Sequence, residues 1–118
     1  MSRYDQGRRL EWAARDALTA AGYLVLRSAG SKTPVDLAAW RPGEHLFVQC
    51  KLDGYLTPAA RAKFIRLSED LGPLPIVARW RKEGRAARTV EFAYLYEDGD
   101  SAPWNLTPWR NNDGLAPG

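Results

Sequence analysis

Cysteine occurs once in this chain of 118 residues, at Cys50, and histidine once, at His45. A single thiol excludes an intramolecular disulfide and fits a reducing, cytoplasmic setting. No apolar run approaches the roughly 20 residues that cross a bilayer, and no secretory leader is visible at the start. Lysine is scarce: 13 of the 17 basic residues are arginine. Acid is scarce through most of the chain, since residues 1–88 carry 16 basic side chains against 9 acidic ones, a net of +7. Residues 89–118 reverse this, with 1 basic against 5 acidic, a net of −4. An arginine-rich body suits a polyanion such as nucleic acid, because the guanidinium fork donates two hydrogen bonds to one phosphate. Arginine is also what a GC-rich source supplies, so composition alone leaves the two readings level. The length fits one compact domain with a modest core.

What is present is an alternation of helical and extended patterns. Leu10, Ala13, Ala14, Ala17, Leu18 and Ala21 recur at spacings of three and four, which predicts a helix over residues 3–21 stopped at Gly22. "YLVLR" (23–27) reads as a strand and "SAGSKTP" as a loop. "VDLAAW" (35–40) and "HLFVQCKL" (45–52) read as two strands joined by the turn "RPGE", a hairpin. Thr57 followed by Pro58 is a helix start, and the apolar spacing runs to a stop at Gly72. "PIVARW" and "TVEFAYLY" give two more strands, separated by the basic turn 81–88. The expected order is α-β-β-β-α-β-β, an α/β fold with a mixed central sheet flanked by helices. Residues 1–98 make the expected domain. Residues 99–118, rich in Pro, Gly and Asn, make a tail that is partly disordered, with Trp104 and Trp109 as candidate tethers.

The hairpin carries chemistry. In "PVDLAAWRPGEHLFVQCK" strand alternation aims Gln49 and Lys51 one way and Leu46, Val48 and Cys50 the other. Pairing of the two strands brings Asp36 beside Gln49 and Lys51. A hard cation takes oxygen ligands, here a charged one from Asp36, a neutral one from Gln49 and a backbone carbonyl near Cys50. Such a cation acidifies water and neutralises phosphate charge, and Lys51 would stabilise the transition state of phosphodiester hydrolysis. The same three residues also describe an ordinary solvated strand, and the short motif does not separate the two.

The wider sequence resembles the archaeal-type Holliday junction resolvases, within the PD-(D/E)xK, restriction-endonuclease-like nucleases. The likeness runs from about Gln6 to Trp80. It is carried by Gly7 and Glu11, by "AAGYLVLRSAGSKTPVDL" with its "RSAGS" loop, by "FVQCK", and by "LGPLPIVARW". The resemblance implies a metal-dependent, structure-selective endonuclease that cuts four-way DNA junctions in pairs. Its cofactor would be Mg²⁺, with Mn²⁺ as a substitute, and it would work as a C2 homodimer, because two symmetric cuts need two sites. It implies that Glu11, Asp36 and Gln49 hold the metal, that Ser31 sits near the scissile phosphate, and that Lys51 is catalytic. Arg8, Arg9, Arg27, Lys32, Arg81 and Arg85 would contact DNA. Gln49 stands where the family usually has glutamate, and Trp12 where it often has arginine. A small stand-alone enzyme of this kind also suits a bacteriophage acting in its host's cytoplasm.

Each residue has a plainer reading. Glu11 is at helical spacing from Arg8 and Arg15. Ser31 is also a loop residue able to bond its own backbone. His45 reads as a solvated edge residue, Cys50 as a small buried apolar group, and the tryptophans as core or interface anchors. The arginines of 79–88 suit either a solvated hairpin or a DNA backbone. Replacing glutamate by Gln49 weakens a metal site without removing its oxygen, and both Asp36 and Lys51 are kept. A variant active site is therefore expected. The alternatives are a related nuclease for flaps or other branched or damaged DNA, and a silent junction-binding protein.

Overall fold

In the computed structural model, residues 2–28, 33–81 and 89–108 are described. The first helix, α1 (Arg3–Ala20), is capped by Ser2, whose hydroxyl accepts the Asp5 backbone N–H at 3.1 Å. Leu10, Ala14 and Leu18, one turn apart, are fully buried. Gly22 follows with φ 97°, the left-handed conformation that glycine adopts without a Cβ clash. The strands are β1 (Leu24–Arg27), β2 (Leu37–Arg41) and β3 (Glu44–Cys50), then β4 (Leu74–Trp80), β5 (Val90–Leu95) and β6 (Ser101–Trp104). Between β3 and β4 lies α2 (Pro58–Leu71), whose Thr57 cap accepts the Ala60 N–H at 3.2 Å. No helix among the described residues is long and apolar enough to cross a membrane.

The six strands form one sheet in chain order. All neighbours are antiparallel except β3 and β4, which are parallel because α2 carries the chain back across the sheet. The α-β-β-β-α-β-β order and the mixed sheet flanked by helices follow the expectation. Beyond it, Ser101–Trp104 adds an edge strand, and the ring of Trp104 stacks on Tyr94 at 6.3 Å. Trp109 lies outside the described residues.

Alternation in the strands gives each helix its own core. Leu37, Ala39, Leu46, Val48, Ile76 and Ala78 meet Ala14 and Leu18 on the α1 side. Val77, Ala93 and Leu95 meet Phe64 and Ile65 on the α2 side, with Phe47 packed against them. Two boundaries differ from the sequence reading in a way that bears on function. The second strand begins at Leu37, and the third ends at Cys50. Asp36 and Lys51 therefore flank the paired region, at the same end of the sheet.

Candidate metal-dependent nuclease site

Asp36 is held by its backbone before its side chain acts. Its N–H donates to Val48 O and its carbonyl accepts from Ser28 N, both at 2.9 Å, which ties it between β3 and the end of β1. The paired β2–β3 register ends at Leu37 with Val48, and Asp36 sends its N–H to that same Val48 O, so it sits just outside the regular pairing. The Asp36 Oδ2 accepts the Cys50 N–H at 2.7 Å, fixing the carboxylate against the end of β3. Burial raises the Asp36 pKa. The Cys50 hydrogen bond opposes that rise, the Glu11 charge adds to it, and Lys51 and Arg27 offset part of it. Two acids and two bases thus surround one point at the sheet's end.

Glu11 comes from α1, and its Oε1 accepts a charge-assisted hydrogen bond from Arg27 Nε at the end of β1. Arg15 turns instead to its neighbour Asp16 at 3.2 Å. Lys51, half-buried, donates its backbone N–H to Ala78 O at 3.0 Å, so the residue stays registered on β4 after β3 has ended. A tight turn follows, in which Gly54 N donates to Lys51 O at 3.0 Å. Gly54 has φ +79°, and a Cβ there would lie 2.6 Å from the Arg79 side chain. A side chain at this position would meet Arg79 and would have to adopt a φ that only glycine takes freely.

Gln49 pairs with Val77 in the parallel register, on the face toward α2. Its Oε1 is buried and accepts no hydrogen bond. A buried carbonyl oxygen without a donor costs about 1–3 kcal/mol. Among the described residues there is no group of three His, Cys, Asp or Glu side chains that could hold a metal ion. The third donor of this site is an amide, so the acids available are Glu11 and Asp36 alone. The oxygens of Asp36 and Gln49 are hard donors of the kind Mg²⁺ or Mn²⁺ accepts, and the unpaired Gln49 oxygen is the feature a cation would complete. The donor set fits such an ion with one negative charge fewer than three carboxylates would give.

Cys50 is no nucleophile. Burial first, then the charges of Asp36 and Glu11, push its thiol far above the ordinary range, and its side chain packs against the α1 core. His45 is exposed, against the Trp40 ring at 6.3 Å. Of the expected DNA contacts, Arg9 is exposed on α1 and Arg8 lies over the Trp12 ring at 5.7 Å. Arg81 forms an ion pair with Glu91 at 3.6 Å. Ser31, Lys32 and Arg85 lie outside the described residues. Arg79 gained no separate role from the sequence. It follows Ala78, the residue that registers Lys51, and it bonds Glu91 at 2.8 Å. The Asp53–Gly54 pair after Lys51 was the available signal for the turn that meets it.

Comparison with known proteins agrees with this geometry. The crossover junction endodeoxyribonuclease Hjc of Methanocaldococcus jannaschii is 38% identical over 80 residues, 64% of this chain and 59% of that protein. The solved structure of Archaeoglobus fulgidus Hjc, described as a Holliday junction resolvase from an archaeal hyperthermophile, superposes with a TM-score of 0.58 at 25% identity. That match covers 74% of this chain and 70% of the other. Over this part of its length the chain is similar to archaeal-type Holliday junction resolvases. No family model matches it. It spans 59% of the length of the M. jannaschii resolvase, so the likeness covers a part of that protein and not its whole.

Proposed function

We propose that this chain is a metal-dependent, structure-selective endonuclease that resolves four-way DNA junctions by paired phosphodiester hydrolysis. The observation that carries the reading is the carboxylate of Asp36, pinned to Cys50 N–H at the end of β3 and within the field of Glu11, Lys51 and Arg27. Glu11, Asp36 and Gln49 would hold Mg²⁺, with Mn²⁺ as a substitute. The ion would supply an acidified water and neutralise charge on the phosphate. Lys51 places an ammonium where negative charge develops, which is worth most in a partly dry site. Asp36 keeps one oxygen on the Cys50 N–H, so its other oxygen is aimed without a search over rotamers.

Arg8, Arg9, Arg27 and Arg81 would meet the backbone, with Ser31, Lys32 and Arg85 contributing from outside the described residues. Such contacts read charge and shape rather than base sequence. Paired cuts call for a C2 homodimer. The exposed Leu24 and Leu26, 65% and 54% accessible on edge strand β1, offer apolar surface for it. The missing carboxylate at position 49 supports one rival, a silent junction-binding protein. A cleavage assay on a synthetic immobile junction, a flap and a linear duplex, with and without Mg²⁺, separates these. Junction cutting that needs the metal supports the proposal. Preference for the flap would move it to a related branched-DNA nuclease, and binding without cutting in Mg²⁺ or Mn²⁺ would leave the silent reading.

A further inference from the structure

β4 carries an arginine that the nuclease site as described above leaves unused. Arg79 lies two residues beyond Val77, so strand alternation puts it on the same face of the sheet, toward α2, at the end where β3 stops. Lys51 donates its N–H to Ala78 O at 3.0 Å, which sets Lys51 beside this end of β4. Across the sheet, Asp36 stands ahead of β2, Lys51 follows β3, and Arg79 lies on β4. Each step is one strand spacing, about 4.8 Å.

The Arg79 side chain is held on two sides. Across the β4–β5 pairing it faces Glu91, whose Oε1 accepts its Nε–H at 2.8 Å. On the other side runs the turn that follows Lys51. A Cβ on Gly54 would lie 2.6 Å from Arg79 Cδ and 3.2 Å from its Nη1, so the turn closes along both the stem and the guanidinium. Gly54 N in turn donates to Lys51 O, which couples the placement of Arg79 to that of Lys51. The charge is held but not spent. The Arg79 side chain is 42% exposed, and Glu91 is shared with Arg81, at 3.6 Å, so one negative charge stands against two positive ones. Among the described residues the Nε–H bond is the guanidinium's one hydrogen bond, which leaves the N–H groups of both terminal nitrogens for a ligand. A half-exposed ion pair adds little to stability, so stability does not account for an arginine ordered this closely beside Lys51.

We propose, resting on the nuclease reading above, that Arg79 is a substrate-binding residue that grips the DNA phosphate next to the scissile one. Asp36 and Lys51 address the scissile phosphate. Arg79 lies one strand farther from Asp36, beyond Lys51, and on a continuous DNA strand the next negative charge in that direction is the neighbouring phosphate. With Nε engaged by Glu91, the terminal nitrogens donate to two oxygens of that one phosphate, a fork that an ammonium cannot reproduce. Glu91 and the Gly54 turn order the side chain before DNA arrives, so less rotamer freedom is lost on binding. The contact fixes the strand over the site and carries no base information.

The test uses the full chain and immobile junctions in which one phosphate at a time near the branch point is a neutral methylphosphonate. Binding is titrated without metal, and cleavage is followed in Mg²⁺. Arg79→Ala should bind the unmodified junction roughly tenfold more weakly, with a salt slope of log K lower by about one. It should also be indifferent to the methylphosphonate next to the cut position, which should weaken wild-type binding. Arg79→Lys keeps a cation opposite Glu91, so it should melt as wild type, restore the salt slope and recover only part of the affinity. It carries the test if the alanine variant does not fold. Methylphosphonate penalties that are the same in wild type and both variants at every position overturn the contact. Sensitivity lost at the scissile phosphate itself overturns the assignment to its neighbour. If junctions are bound and never cut, the nuclease reading falls, while one phosphate whose penalty disappears in the variants still supports Arg79 as its partner. If no junction is bound, both fall.

Discussion

Gln49→Glu is the perturbation that asks most of the nuclease site. Position 49 directly precedes Cys50, whose N–H holds the Asp36 carboxylate, so a carboxylate there comes within about 7 Å of it, the scale of diagonal neighbours in a sheet. Two unit charges at about 7 Å and an effective dielectric near 20 repel by roughly 2 kcal/mol. Both residues are half-buried, so water screens part of this, and about 1–2 kcal/mol is the expected loss in metal-free protein. For a domain of 118 residues that lowers the melting temperature by about 4–8 °C in EDTA. Saturating Mg²⁺ should reverse the deficit, because the added carboxylate becomes a charged ligand. The pH sign follows from Asp36, whose folded pKa is raised by burial and by Glu11. Folded protein holds that proton more tightly than unfolded protein. The favourable contribution is full below the unfolded carboxylate pKa and is lost as pH rises through the folded one. A second carboxylate deepens that loss, so the variant's deficit in EDTA should grow with pH and vanish in acid. Calorimetry of wild type and variant, in EDTA and in Mg²⁺ at two pH values, reads all of this. If the variant melts no lower without metal, and gains no more from Mg²⁺ than wild type, Asp36 and position 49 do not share a cation site.

Asp36→Asn and Lys51→Ala should each reduce junction cleavage by about a hundredfold or more while leaving junction binding intact in a gel shift; nicking at the wild-type rate by either variant would remove that residue from the mechanism. Arg9→Ala should weaken binding to junctions of any sequence and lower the salt slope of log K by about one, read from titrations over a range of NaCl. An unchanged slope would place Arg9 away from DNA. Leu24→Asp with Leu26→Asp should convert the proposed dimer to a monomer in sedimentation, with paired cutting replaced by single nicks. A stable dimer in the double variant would move the interface off β1.

The alternation of "HLFVQCK" was enough to separate Gln49 and Lys51 from Cys50, because a strand allows only two directions. The "RPGE" turn set the register from Arg41 and Glu44 back to Leu37 and Val48, whereas the break at Asp36, whose N–H also goes to Val48 O, was not legible. The sheet's sixth strand was not legible. Ser101–Trp104 contains Pro103, and proline speaks against a central strand but is tolerated at an edge, where its missing N–H faces no neighbour. The Glu11–Arg27 bridge was also out of reach. Pairs along one helix can be read from spacing, whereas these two meet only after α1 packs on β1. The end of β3 at Cys50 was present in the letters as Asp53–Gly54. The Asp53 Oδ1 accepts the Tyr55 N–H at 3.0 Å, a local turn that competes with further pairing.

The unpaired oxygen of Gln49 bears on why glutamine can stand there at all. Glutamate at that position would add a third negative charge beside Glu11 and Asp36. The positive charges in reach of Asp36 are Lys51 and Arg27, and Arg27 is already engaged by Glu11. With Gln49 the four groups balance in the absence of metal, and the cost is one buried acceptor without a donor. That trade favours a fold that persists without metal and recruits it when phosphate arrives to share the coordination. A substrate phosphate brings the negative charge that the side chain at position 49 lacks. On this argument the proposed site would bind metal and DNA cooperatively: each would strengthen the other, and metal affinity measured without DNA should fall below that measured with a junction present.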